Sequence, residues 1–190
     1  MTEKATDSKV RIQQEFKTLV SKKSLSKVTV SEIIRACNIN RKTFYYYFED
    51  IYDLLRQTLQ QEAIEMVSHF DFITEFDAAI AFITAYIEKN HAFLKHVYNS
   101  VRREELKRIF YRDFVQVFTQ ILNAKTGTQA TDLSDGFQAF AIRFYTEAVA
   151  SVMVDLIIEY PRVDTAQTAA YLSKIINTAT AALSADTATE

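Results

Sequence analysis

Glycine, proline and cysteine are nearly missing from the 190 residues, with two, one and one copies. Gly127, Gly136 and Pro161 are too few to turn a chain through a β-sandwich or barrel. Neither a P-loop nor a dinucleotide fingerprint can be written with two glycines, so phosphate-cradling loops of those kinds are excluded. Cys37 alone rules out an intramolecular disulfide framework and a cysteine-built zinc site. No apolar run approaches the ~20 residues of a membrane span; the best, AVASVMVDLII, is short and contains Asp155. The opening MTEKATDSKV is polar, and no secretory signal is expected in it. The three histidines, His69, His91 and His96, lack a metal-ligand spacing, so no metal is expected, and no cofactor is called for. What remains is a mostly helical, cytoplasmic chain of one domain or a small pair, large enough to bury its own core.

The charge is unevenly spread. Residues 1–48 hold ten Lys/Arg and four Asp/Glu, a net of +6, and the rest holds twelve and twenty, a net of −8. A basic module before an acidic body suits a chain whose first segment alone meets a polyanion, although a solvated charged face has the same composition.

Spacing decides between these. Ile12, Phe16, Leu19 and Val20 put one apolar stripe on a helix from about Thr6 to Lys22. After a short basic connection, Thr29 and Glu32 form a T-x-x-E capping box. Val30, Ile33, Ile34 and Cys37 give the short helix that follows a buried face, which makes Cys37 a core residue. Asn38 can end that helix in place of glycine, and Asn40 can cap the next, Arg41 to Phe48. Two helices joined by about three residues make a helix-turn-helix. On the second, Phe44 and Phe48 point inward while Arg41 with Tyr45, and Lys42 with Tyr46, form outward rows. Such a face suits a DNA major groove. Arg can bond guanine bidentately, the Thr43 methyl can meet a thymine methyl, and Tyr hydroxyls can reach phosphate oxygens.

Further helices are expected from Asp50 to about His69, from Glu75 to Glu88, from His91 to Asn99 and from Arg102 to Leu122. The polar stretch NAKTGTQATD is expected to be a loop. Leu133–Glu159 is apolar nearly all round and should be buried on several sides. Pro161 ends it, and Asp164 can cap a last helix carrying the stripe Leu172, Ile175, Ile176, Ala179 and Leu183. The tail after Ser184 should fray.

The stretch TVSEIIRACNINRKTFYYYFEDIYDLL resembles the helix-turn-helix signature of the TetR family of transcriptional regulators. Its form is most similar to the branch that includes dihydroxyacetone kinase regulators. The resemblance implies an all-α fold of about nine helices. Residues 1–49 would be the helix-turn-helix DNA-binding domain and residues 50–190 the effector-binding and dimerisation bundle. It implies that Thr29, Asn40, Arg41, Lys42, Thr43, Tyr45 and Tyr46 are the DNA-binding residues, with Tyr45 on the backbone. Ile51 stands where the family usually has a lysine that touches a phosphate. It also implies a homodimer through the last two helices, in keeping with the excess of apolar residues in Leu133–Glu159.

An enzyme needs a nucleophile, an acid/base pair or a metal, and no recognisable spacing offers one; Glu104 and Glu105 are adjacent and face different ways on a helix. Aromatic side chains in the body, among them Phe93, Phe110, Phe140 and Tyr145, are mostly expected to be core. The residues singled out for an effector pocket are Tyr86, His91, Tyr98, Phe114, Arg143, Phe144 and Glu147. For Arg143 and Glu147, an internal ion pair or a bond across the dimer is favoured over a ligand contact. The expected function is a dimeric repressor that binds a pseudo-palindromic operator in double-stranded DNA and is released by a small-molecule effector. The alternative is a DNA-bound regulator, activator included, controlled by a protein co-regulator. An interaction module that has lost DNA reading ranks third. A polar-lined cavity in the body would favour the effector, and a filled body the protein partner.

Overall fold

A computed structural model of the chain describes residues 3–71, 74–126 and 135–186. Among the described residues there are eight α-helices and no strand: α1 (Glu3–Lys22), α2 (Val30–Ala36), α3 (Arg41–Tyr47), α4 (Ile51–Ser68), α5 (Phe76–Lys89), α6 (His91–Thr126), α7 (Asp135–Glu159) and α8 (Thr165–Asp186). A 3₁₀ turn, Leu25–Lys27, bridges α1 and α2.

Helices of seven residues are too short to persist alone, so α2 and α3 depend on their caps and on burial. At the start of α2, the Glu32 N–H donates to Thr29 Oγ1 and the Thr29 N–H donates to Glu32 Oε2, closing a capping box. Asn38 takes a left-handed φ of 47° after α2. The Ile39 N–H reaches back to Ile34 O and the Asn38 N–H to Arg35 O, the pair of bonds of a Schellman ending. Below these caps, Ile12, Phe16, Val20, Leu25, Ile33, Phe44 and Phe48 are buried in a core that continues through Leu54, Leu55 and Leu59 of α4 into the body.

The body is built on α6, which packs along α7, while α8 packs along α5. On α5, Phe76, Ala79, Ile80, Ile83, Thr84 and Ile87 recur with helical period on the buried face. α6 is broken at Arg102, whose φ of 66° and ψ of 171° lie outside the helical region, so residues 91–101 and 103–126 form two segments. This break is the boundary expected between two shorter helices, and the count of about nine includes it.

Three expectations need correction. The stretch NAKTGTQATD is helical through Thr126, and residues 127–134 lie outside the described part, as do Leu133 and the tail beyond Asp186. α7 is buried on several sides only along its C-terminal half, where Val149, Ala150, Met153, Val154, Leu156 and Ile157 are inside; Phe137, Phe140 and Phe144 face outward. On α8, Leu172 and Ile176 are buried, but Ile175 is 58% exposed. Residue 175 lies 100° around the helix from residue 176, outside the side that α5 and α6 cover. Asp164 caps α8 through the Gln167 N–H at 2.9 Å. No helix among the described residues is long and apolar enough to cross a membrane.

Candidate nucleic-acid interface

The α3 helix rests on two buried feet, Phe44 and Phe48, with ring centroids 5.7 Å apart. Its start is fixed by Asn40, whose Oδ1 accepts from the Thr43 N–H at 2.8 Å and from Thr43 Oγ1 at 3.0 Å. The cap consumes the Thr43 hydroxyl proton and leaves the Asn40 amide NH₂ as the donor end. Arg41, Lys42, Tyr45 and Tyr46 are exposed. The guanidinium of Arg41 lies over the Tyr45 ring, 5.6 Å from its centroid, and Nη2 donates to the Tyr45 hydroxyl at 3.4 Å. The opposite end of α3 is latched to α4. Gln57 Nε2 donates to Tyr47 O at 3.2 Å and to Asp53 Oδ2 at 2.9 Å. Burial works against ionising Asp53, but bonds from the Glu49 N–H, Arg56 and Gln57 outweigh it and hold the carboxyl below its ordinary value.

Thr29 is exposed at the head of α2, but its hydroxyl and N–H are both committed to Glu32. Lys23 Nζ bonds Glu32 Oε1 at 2.5 Å, and this bond with those from Thr29 keeps the carboxyl below its usual range. Lys23 therefore neutralises the one acid in the cap, a role that its place in the basic connection did not reveal. Ile51 is half-buried and packs against the core. Cys37 is buried, with its thiol pushed up by desolvation and by Glu15.

The seven residues considered for an effector pocket do not converge. Tyr86 and Phe114 line one internal, almost wholly apolar cavity of about 50 Å³, together with Ile83, Ile109, Phe110 and Met153. His91 is elsewhere, with Nε2 3.1 Å from Ile157 O and its ring 4.6 Å from that of Tyr160. Tyr98 is half-buried against the core without reaching the cavity. Arg143, Phe144 and Glu147 border an open groove on the outer side of α7. Arg143 and Glu147 do not form the internal pair expected of their spacing, because Glu147 bonds Lys107 of α6 at 2.6 Å. Asp113 sits between the cavity and an open groove of about 430 Å³ between α4 and α6, and burial raises its carboxyl despite nearby Arg112.

A polar cluster ties α1 to this body. Glu62 of α4 accepts from Lys17 Nζ and from the Tyr86 hydroxyl. The Lys17 ammonium also lies over the rings of Tyr86, at 5.0 Å, and Phe93, at 5.5 Å. Desolvation and adjacent Glu62 push the Tyr86 phenol far above its ordinary value, so it stays protonated and donates. Nearby, His96 Nδ1 bonds Val20 O at 2.6 Å. These partners are 24 to 76 residues apart, and no local spacing could have found them.

Among the described residues, no group of three or more His, Cys, Asp or Glu side chains could hold a metal ion. Comparison with known proteins gives two family matches. Residues 17–58 match "Bacterial regulatory proteins, tetR family", and residues 74–178 match "Transcriptional regulator C-terminal region". A curated relative, the HTH-type dhaKLM operon transcriptional activator DhaS of Lactococcus lactis subsp. lactis (strain IL1403), is 20% identical over 147 residues, which are 77% of this chain and 78% of that protein. A solved structure titled dihydroxyacetone kinase operon activator DhaS superposes with a TM-score of 0.73 at 17% identity, over 90% of this chain and 94% of the other.

Proposed function

The chain belongs to the TetR family of bacterial transcriptional regulators, and from that premise we propose that it reads an operator as a homodimer, with residues 1–49 as the reading unit and 50–190 as the body. The observation that carries this is the exposed face of Arg41, Lys42, Tyr45 and Tyr46 on a helix held rigid by buried Phe44 and Phe48. With its Asn40 cap, that helix can lie in a major groove while Lys and Arg around it offset phosphate charge. The dimer is supported by large apolar side chains that one chain leaves exposed: Phe137, Phe140 and Phe144 on α7, with Tyr171 and Ile175 on α8. Burying the exposed half or so of each is favourable by about 1 kcal/mol, and a two-fold axis counts each twice.

Control enters from a protein partner. A cavity of about 50 Å³ is far below the ~300 Å³ or more of a small-molecule pocket, and the larger hollows of the body, among them those between α5 and α8 and between α4 and α6, are open grooves. Open surface, such as the groove between α4 and α6, suits a protein contact better than an enclosed effector. The named relative is an activator, and we extend operator-bound activation to this chain in place of effector-released repression.

Selection from a random duplex library at fixed salt tests the first reading, with a two-fold symmetric motif as the expected product. Recovery of unselected, salt-sensitive DNA would refute it. Ile83→Phe, which fills the cavity from a position that does not line the groove between α4 and α6, should leave regulation of a reporter behind the selected motif intact; loss of the response in a folded, DNA-binding variant would restore the effector.

A further inference from the structure

The two outward rows of α3 are not equivalent. Tyr46 is 78% exposed, and its ring stands edge-on to Tyr47 at 4.8 Å. Tyr45 is 47% exposed, and its ring meets the fully buried Phe44 edge-on at 5.3 Å and 86°. A buried ring thus holds Tyr45, and Tyr45 in turn carries the Arg41 guanidinium on its face and through its hydroxyl. Held over the ring with one Nη2 donor on the hydroxyl, the guanidinium keeps its other in-plane donors for a planar acceptor, and part of its rotamer freedom is already lost before DNA arrives.

We propose that Tyr45 is a positioning residue for Arg41 and not primarily a phosphate contact, and that the stacked Arg41 reads a guanine through O6 and N7 in the major groove. The pair is a single specificity element: Phe44 anchors, Tyr45 orients, Arg41 discriminates. The inference rests on α3 being the DNA-reading helix. It departs from the role that the family resemblance implies for Tyr45, because a backbone contact would leave base preference untouched. The spacing i, i+4 permits the stack, and the Asn40 cap fixes Arg41 in the first turn, where the reading end of such a helix lies.

The test uses the full-length protein, the duplex it selects from a random library, and all single-base variants of that duplex, at one salt concentration. Arg41→Ala should lose discrimination at one base pair per half-site, roughly 5- to 150-fold. Tyr45→Ala should lose about 2- to 5-fold at that same base pair and at no other. Tyr45→Phe, which keeps the ring and removes the hydroxyl, should retain discrimination there. The double variant should discriminate no worse than Arg41→Ala alone. If Tyr45→Ala weakens all duplexes equally, the positioning role is overturned; if Tyr45→Phe loses as much discrimination as Tyr45→Ala, positioning by the ring face is overturned. If Arg41→Ala leaves preference unchanged in a protein that still selects a motif, the assignment of Arg41 as the reader fails, and the proposal with it. Circular dichroism of each variant separates these outcomes from unfolding.

Discussion

Replacing Lys17 by Met strips Glu62 of its ammonium partner and leaves the carboxylate facing Tyr86 alone. The two charged side chains are 22% and 21% exposed, so the pair lies between a surface ion pair, worth at most ~1 kcal/mol, and a fully buried one, whose breakage costs about 3–5 kcal/mol. A loss of about 2 kcal/mol is expected. The Met stem can keep some contact with the Tyr86 and Phe93 rings, but the attraction of the cation to their faces goes. For a chain of this size that corresponds to a fall in Tm of roughly 4–8 °C. The assay is thermal and urea unfolding at one protein concentration, since the stability of the proposed dimer would depend on concentration. Wild type, Lys17→Met, Glu62→Gln and the double variant complete a cycle. The double variant should recover part of the loss, because no unpaired carboxylate remains. Operator affinity measured alongside should fall in Lys17→Met if residues 1–49 read DNA as proposed, since this cluster ties α1 to α4 and α5. A Tm within a degree of wild type, or strictly additive single effects, would refute the view that the cluster clamps α1 to the body.

Three further outcomes follow from local geometry. Asn38→Val should destabilise by about 1–2 kcal/mol, because a β-branched residue resists the φ of 47°, whereas Asn38→Gly should stay within ~0.5 kcal/mol of wild type; equal stability of all three in urea would contradict the Schellman ending. Asp53 is held below its unfolded value of ~3.9, so its contribution is present above that pH and lost as pH falls through the depressed folded value. The stability gap between wild type and Asp53→Asn should accordingly be widest near neutral pH and shrink toward pH 3, and a constant gap in pH-dependent melts would contradict this. Phe140→Glu, at a side chain 63% exposed in one chain, should convert dimer to monomer in analytical ultracentrifugation; an unchanged dimer would place the interface elsewhere.

Much of the reading end was legible in the sequence because its determinants are local. The Thr29–Glu32 box, the Asn38 turn and the Asn40 cap each act within five residues, and helical period alone divides α3 into Phe44 and Phe48 inside and Arg41, Lys42, Tyr45 and Tyr46 outside. The break in α6 was visible as a change of pattern near residue 100. Tertiary structure decided what depends on neighbours brought from far along the chain. Arg143 and Glu147 have the spacing of a pair, yet Lys107 takes the glutamate from α6. Ile175 fits the apolar stripe of α8, yet α5 and α6 leave it exposed while Leu172 and Ile176 are buried. Tyr86, Phe114, His91 and Tyr98 all read as pocket aromatics, but packing sends the first two to one small cavity and the others elsewhere. The Lys17–Glu62–Tyr86 cluster left no mark in the sequence, because burial and juxtaposition are set by how whole helices pack and not by the residues within a turn of each other.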